Sequence, residues 1–468
     1  MRIIADLHIH SKYSRAVSRD MTPENLDIWA QKKGITVIGT GDFTHPRWLE
    51  ELKEKLEPAE EGLYRLRKVP NQVFNNDSLT RNESQKPQGA KNLVWDFSTR
   101  FLLTVEIAVI YSKGGKVRRI HHLVFAPSFA AVDKINKKLS KIGNLASDGR
   151  PILGLDSKEL LKIVKDADAQ AVLVPAHAWT PWFSVFGSMS GFDALEECFE
   201  ELAPEIFAIE TGLSSDPAMN WPVPALSGIA LISNSDSHSL RKIGREANVF
   251  DCEFSYQGIM DAIESRDQKK FLYTIEFFPE EGKYHVDGHR DQKHFQDPAI
   301  TKQHGGRCAQ CGAKVTVGVL SRVEELASKK VPNQVFNNDS LTRNESQKPQ
   351  GAKNLVWDFS KRIPYRSIVP LEEIIADICG VGVASKRVQS MYEATIAQFG
   401  SEFTFLLDMP IEKIIHYDAA LAEAIRRVRE GLVHLTPGYD GEYGKVGIFA
   451  LEDRAGFIKI QEKQQGLF

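Results

Sequence analysis

Two histidines, His8 and His10, stand two residues apart in the opening stretch MRIIADLHIH. In extended backbone, residues two apart share a face, so both imidazoles can address one cation. Asp236-Ser237-His238 repeats that spacing with one carboxylate and one imidazole. Between the two motifs come Asp42 and His45 in GTGDFTHP, Glu106 in TVEI, His121 and His122 in RRIHHLVF, and His177 in VPAHAW. A donor set mixing imidazole and carboxylate suits Zn, Mn or Fe better than Mg or Ca, which favour all-oxygen shells. Adjacent cations of this kind activate water and clamp the attacking and leaving oxygens of a phosphoryl displacement, so the chemistry expected is phosphoester hydrolysis. One His-x-His alone is commonplace; the whole set in one chain carries the reading. His121 and His122 would face opposite ways on a strand, so only one can bind. The residues leave that choice open, and His122 is carried as the candidate.

These residues need elements that bring them together. Short β-branched runs at Arg2–His8, Thr36–Asp42, Phe101–Ser112, Ile120–Pro127, Ala171–His177, Ile206–Gly212 and Ala230–Asp236 predict strands, with amphipathic helical stretches among them. One helix opens at Thr22-Pro23-Glu24, a capping residue followed by proline in the first turn. Strand–helix alternation predicts parallel strands in an α/β barrel or a doubly wound sheet. In a barrel, groups at the C-terminal ends of several strands meet at one face, and most of the candidate ligands fall at predicted strand ends. Beyond the sheet region, helices are predicted at Leu371–Asp377, Ala384–Phe399 and Ile411–Glu430.

The chain has 468 residues, which implies two or three domains. With 59 Lys and Arg against 62 Asp and Glu, its net charge of −3 advertises no global affinity for nucleic acid, so any such binding must come from local patches. The N-terminus reads as a strand rather than a signal peptide, and no apolar run reaches the length of a membrane span, so no membrane partner is expected. Five cysteines are too few and too uneven for a disulfide framework, which points to a reducing, cytoplasmic setting. Residues 68–98 and 330–360 are identical, residue for residue. Their polar, turn-forming centre predicts loop-like segments, of recent duplication or cloning origin.

Three further patterns bear on the substrate. Cys308-x-x-Cys311 in a His-rich stretch is half of a zinc knuckle, with His289 and His294 as the other candidate ligands and His285 and His304 nearby in sequence. Gly380 and Gly382, followed by Lys386 and Arg387, form a helix–hairpin–helix-like turn that can approach a DNA phosphate. Trp179, Trp182, Phe183, Phe186 and Phe192 follow His177, and Trp179, Trp182 and Phe186 are candidates for stacking an extruded base. Asp193 and Glu210 are candidate proton-transfer or ligand-orienting groups, and Arg15 is a candidate phosphate-neutralising residue. Pro437-Gly-Tyr-Asp-Gly-Glu-Tyr-Gly444 is a glycine-rich loop without an assigned purpose.

DLHIHSKYS, GDFTH, TVEIAVIY, VPAHAW and SNSDSHS together resemble the motif series of the polymerase and histidinol phosphatase (PHP) superfamily, over about residues 1–260. That resemblance implies a distorted (β/α)7 barrel holding two or three divalent ions (Zn, Mn, Mg or Fe). It makes His8, His10, Glu106, His177, Asp236 and His238 ligands. The family's second motif is Thr-Asp-His, whereas Phe43 follows Asp42 here, so either Asp42 or His45 takes that place. Farther on, YHVDGHR, the C-x-x-C with TVGVLSRVEELA, and PYRSIVPLEEII with GVGVASKRV resemble the endonuclease Q family of PHP-type repair nucleases. This implies incision on the 5′ side of a deaminated base (hypoxanthine, uracil, xanthine) or an abasic site, and one structural Zn. The partners implied are damaged DNA, with repair or replication clamp proteins as further candidates. Gln292 stands near the place where that family's knuckle would carry another cysteine.

The organisation expected is therefore a PHP domain at 1–265 with 69–98 as an inserted segment, a zinc-knuckle region at 266–330, a duplicate segment at 331–360, and a helical DNA-binding domain at 361–468. Two other functions compete: a small-molecule phosphatase of histidinol-phosphate type, and a non-catalytic DNA-binding module with a vestigial barrel.

Overall fold

The structure is a computed structural model that describes residues 2–67, 99–329 and 362–450. The identical segments 68–98 and 330–360, and with them the expectation of loop-like structure there, lie outside the described residues. Seven strands position the site: β1 (Arg2–Asp6), β2 (Val37–Gly39), β3 (Arg100–Lys113), β4 (Lys116–Ala126), β5 (Val172–Pro175), β6 (Ala208–Glu210) and β7 (Ala230–Ile232). Each falls within or across a predicted run. β1, β2 and β3 pair in parallel, as do β6 and β7. β5 meets β6 where the Ala178 amide donates to the Glu210 carbonyl at 2.9 Å, and the chain beyond β7 meets the chain beyond β1 through a parallel Ile9–Ser237 bridge.

The expectation of uniformly parallel strands fails at β4, which is antiparallel to both β3 and β5. The cause is local. Gly114 and Gly115 adopt φ of 62° and 72°, the left-handed pair that closes a two-residue hairpin, so β3 turns directly into β4 without a crossover helix.

Side-chain alternation divides the core in two. Ile3, Ala5 and Leu7 (β1 and its extension), Val37, Leu102, Leu123 and Phe125, Val172 and Val174, Ala208, and Ala230 and Ile232 pack together. The intervening residues, among them Ile4, Ile38, Val105, Val124, Leu173, Ile209 and Leu231, pack in a second cluster with apolar faces of surrounding helices, such as Leu26 and Ala30, Ile135, and Leu160 and Val164. Every strand thus presents alternate residues to an inner and an outer layer, as a period of two requires. The helix Tyr256–Ser265 adds Tyr256, Ile259, Met260, Ala262 and Ile263 to the inner cluster. Its Tyr256 hydroxyl bonds the Phe125 and Gln170 carbonyls, at the end of the strands away from His8 and His177.

The predicted helix starting at Thr22 runs Pro23–Lys33, and the Thr22 hydroxyl accepts from the Asn25 amide. In the C-terminal region, helices occupy Leu371–Cys379 and Lys386–Phe399. The predicted Ile411–Glu430 helix is two, Ile411–Tyr417 and Ala419–Arg429, because Asp418 leaves helical geometry at φ −156° and caps the second with its carboxylate. The strand Phe271–Glu276 pairs with Ala247–Asp251, which pairs with β1, and Tyr365–Ser367 adds to Phe271–Glu276. The boundary expected at 265/266 therefore cuts through this sheet rather than beside it. Among the described residues, no helix is long and apolar enough to cross a membrane.

Candidate metal centre

Six side chains, His8, His10, Glu106, His121, His177 and Asp236, converge near the ends of β1, β5 and β7. Asp42, His177 and Asp236 each take a positive φ (50°, 30° and 46°), a conformation that non-glycine residues seldom adopt and that concentrates at functional sites. Glycine admits the crowding: a Cβ on Gly149 would stand 2.2 Å from Asp42 Oδ2 and 2.3 Å from Ser14 Oγ. Glu106 lies inside β3 rather than at its end, because the β3–β4 hairpin runs on past the rim.

The donor atoms fall into two groups that share one carboxylate. His8, His10, Glu106 and Asp236 form the first, and Glu106, His121 and His177 the second, with ligand atoms within 4.8 Å of one another in each. Glu106 Oε2 lies 3.6 Å from His8 Nε2 and 3.2 Å from His10 Nε2; its Oε1 lies 2.6 Å from His121 Nδ1 and 3.0 Å from His177 Nε2. Asp236 Oδ1 is 3.5 Å from His8 Nε2 and 3.1 Å from His10 Nε2. His8 Nε2 is buried and has no hydrogen-bond partner, as expected of an atom whose partner is a cation. Mixed imidazole and carboxylate donors at this spacing fit divalent metal ions, and Glu106 is common to both groups.

The second nitrogen of each of three of these imidazoles is held. His8 Nδ1 meets Glu210 Oε1 at 3.0 Å, His10 Nδ1 meets Asp42 Oδ1 at 3.2 Å, and His177 Nδ1 meets Ser184 Oγ at 3.1 Å. Carboxylates behind metal-binding histidines fix the tautomer and the ring direction. Glu210 thus holds the His8 ring in place. Asp42 likewise holds the His10 ring, and its Oδ2 also accepts from the Ser11 amide and hydroxyl and from the Ser14 hydroxyl. His45 stands just before the helix Pro46–Lys55, without a side-chain bond to it, and stacks on Tyr13 at 4.4 Å, outside both groups. His238 lies with its ring 4.6 Å from that of His10, and its Nδ1 donates to the Asp236 carbonyl, again outside the groups.

The electrostatics follow from burial against charge. Burial pushes the His8 and His10 imidazoles down. Glu210 and Asp236 around His8, and Asp236, Asp42 and Glu106 around His10, outweigh it and leave both well above the ordinary value. Burial pushes Glu106 up, but His121, Arg150 and His10 hold it well below the carboxylate range. For His121 burial dominates and lowers it to about 4, despite Glu106.

Several candidates are placed elsewhere. His122 is not in the cluster: it shares the outward parity of Val124, bonds Ser157 Oγ at 2.8 Å, and is lowered to about 3 by burial. His121 shares the inward parity of Leu123 and takes the position next to Glu106. Asp193 is tied to Arg322 and Lys329 on and beside the helix Val319–Ala327, away from the ligand groups. Trp179 and Phe186 are each 1% exposed and pack on one another, so neither can receive a base; Trp182 is half-buried beside Tyr284. Arg15 is 80% exposed and paired with Asp148. Two residues further on stands Arg150, unnoticed in the sequence, with Nη1 2.9 Å from Glu106 Oε2. Only its place in a loop, with no motif around it, distinguishes it.

Away from this cluster, Cys308, Cys311 and His289 form a third donor group, with His289 Nδ1 3.5 Å from Cys311 Sγ. His289 sits on the hairpin Asp287–His289/His294–Gln296, where His294 is its register partner but lies outside that group. His285 bonds the Ser214 carbonyl instead. Gly380, Gly382, Lys386 and Arg387 are exposed at the turn between the helices Leu371–Cys379 and Lys386–Phe399.

Known proteins place this arrangement. The crystal structure of the lesion-specific endonuclease PfuEndoQ from Pyrococcus furiosus superposes with a TM-score of 0.75 at 28% identity, covering 97% of this chain and 98% of that one. The chain is a relative of endonuclease Q. An endonuclease Q complex with a 27-mer duplex bearing an abasic lesion at its active site matches equally, with a TM-score of 0.75, 29% identity and the same coverage. The Bacillus subtilis protein YqxK, itself uncharacterised, is 27% identical over 95% of this chain and 99% of its own length. The uncharacterised protein MJ0043 of Methanocaldococcus jannaschii is 30% identical over 61% of this chain, which spans only 33% of that longer protein. The model of the MJ0043 C-terminal domain matches residues 370–432, the helical region that carries the Gly380 turn. Endonuclease Q thus provides the full-length frame in which the two ligand groups sit.

Proposed function

We propose that this relative of endonuclease Q is a metal-dependent DNA endonuclease that cuts a strand on the 5′ side of a deaminated base (hypoxanthine, uracil or xanthine) or an abasic site. The observation that carries the proposal is the pair of donor groups sharing Glu106, in a chain that matches endonuclease Q from end to end. His8, His10, Glu106 and Asp236 would hold one ion, and Glu106, His121 and His177 the other. Bound there, such ions supply an activated water and charge for the attacking and leaving oxygens of the phosphodiester. Glu210 and Asp42 aim the imidazoles, and the inner apolar layer beneath keeps the floor of the site rigid. Arg150, 30% exposed at the rim, can turn its free nitrogens to the scissile phosphate, with Arg15 outside it.

The seven strands are proposed as a distorted PHP barrel, with Cys308, Cys311 and His289 as a structural zinc site. The exposed Gly380–Arg387 turn, ahead of the Ser385-capped helix Lys386–Phe399, suits sequence-independent contact with a DNA phosphate. The test is a labelled duplex with one hypoxanthine, incubated with Mn, Mg or Zn. A nick that needs the added metal and disappears in Asp236→Asn is expected. Nicking that survives chelation, or that persists in Asp236→Asn, contradicts the proposal.

A further inference from the structure

The Pro437–Gly444 loop acquires a role when its neighbours are followed back to the metal centre. Phe183 holds a φ of 61°, rare for an aromatic residue, and that backbone seats its ring 4.6 Å from the His121 ring while its carbonyl accepts the His121 amide. Next to it, Trp182 is half-buried and meets the Tyr284 ring edge-on at 5.9 Å. The segment carrying Tyr284 is gripped by the glycine-rich loop. The Gly441 amide donates to the Lys283 carbonyl, the Val286 amide to that of Gly438, and the Arg290 amide to the Asp440 carboxylate. At Gly441, with φ of 89°, a Cβ would stand 3.4 Å from Arg290 Nη1 and 3.8 Å from the Tyr284 hydroxyl, so these two groups flank it. Lys283 Nζ lies 4.5 Å from the ring of Tyr443, which at 61% is the most exposed large apolar side chain among the described residues.

Aromatic rings with cations beside them, on a backbone held by its own hydrogen bonds, are the means by which proteins bind single-stranded nucleic acid: rings stack on bases and cations follow the phosphates. We propose that Phe183, Trp182, Tyr284, Arg290, Lys283 and Tyr443 form a track that takes the unpaired stretch of the cut strand outward from the metal centre. The proposal rests on the nuclease reading for its direction. The track itself is a single-strand binding surface that can be measured without cleavage. An exposed tyrosine with lysine over its ring, on a loop with no other assigned task, has its explanation here.

The experiment measures binding of a 12-nucleotide oligothymidylate to the full chain by fluorescence anisotropy. Tyr443→Ala and Trp182→Ala are each expected to weaken binding by about 5- to 100-fold, the loss of one stacked base, whereas Tyr443→Phe retains it. Lys283→Ala is expected to flatten the dependence of log affinity on log salt by roughly 0.7. Val117→Ser, at an exposed hairpin tip elsewhere, serves as the control and is expected to bind as the unaltered chain does. Affinity unchanged in Tyr443→Ala and Lys283→Ala, neither of which removes a buried side chain, overturns the track. The nuclease reading fails by a different result: unaltered protein that binds the strand yet leaves lesion-bearing duplexes intact with every metal.

Discussion

His121 and His122 are adjacent, both buried, and do opposite things. One stands 2.6 Å from Glu106 on the inner face of the strands; the other bonds Ser157 among the surrounding helices. His121→Ala is therefore expected to remove about one bound ion per chain and with it most of the cleavage. His122→Ala should retain its metal and lose thermal stability instead. Metal counting by elemental analysis on both purified variants decides, and equal metal loss in the two would contradict the assignment. His8, His10, Glu106, His177 and Asp236 could be read as candidates in the sequence, because His8, Glu106 and His177 stand between apolar neighbours, His10 stands two residues after His8, and Asp236 stands two residues before His238. The choice within the His121-His122 pair could not. β4 is buried on both faces, so Leu123 and Val124 are equally apolar and no alternation betrays which way it faces. Ser11, Ser14 and Arg150 were invisible for another reason. They reach the site through loops, where no periodicity records position.

At the scale of the elements, the strands were legible and so were most of their directions, but not that of β4. Lys113-Gly114-Gly115-Lys116 carries the signal for that reversal, a glycine pair between two apolar runs that turns β3 straight back as β4. The sheet beyond β1 also carries groups whose charge state depends on burial. Glu276, in the strand Phe271–Glu276, accepts from the Ser233 and Thr274 hydroxyls and is pushed up to about 8, chiefly by burial. Glu246 beside it is fully buried, has neither oxygen bonded, and is raised by burial and by Glu276. A carboxyl raised on folding keeps its proton in the native state after the unfolded chain has lost it. The native state thus binds more protons between roughly pH 4.5 and 8, and stability falls as pH rises through that window. The slope is on the order of 1.4 kcal/mol per pH unit for one such group. Glu276→Gln is expected to flatten the decline in melting temperature from pH 5 to pH 8. An unaltered slope would mean that Glu276 is ionised in the native state.

The whole molecule is fastened in two ways. Tyr365–Ser367 continues the main sheet, and the helices behind it are pinned by ion pairs: Arg241 to Glu372, Lys242 to Glu373, Lys32 to Glu393, and the buried Lys33 to Glu402 at 2.6 Å. Glu402 also accepts from the Leu371 amide and the Tyr392 hydroxyl, so it sits at the junction of three elements. Lys33→Met leaves that carboxylate buried without its cation and is expected to cost about 3–5 kcal/mol in denaturant unfolding. A loss below about 1 kcal/mol would show that the two parts are held chiefly by apolar packing. The helical C-terminal region was readable as helices, but its seam with the strand ring was not, since the pairing residues lie hundreds of positions apart. That seam fixes the Gly380 turn and the two donor groups in one body, as the proposed grip on a duplex and cut in one strand would require. The central claim is a metal-dependent cut beside a lesion, and mapping the cut tests it most directly. Duplexes bearing one hypoxanthine, uracil, xanthine or abasic site, end-labelled and incubated with each divalent metal, should give a single nick at the phosphodiester 5′ to the lesion. Undamaged duplex should stay intact. Release of inorganic phosphate from small monoesters with every duplex left whole would contradict the account.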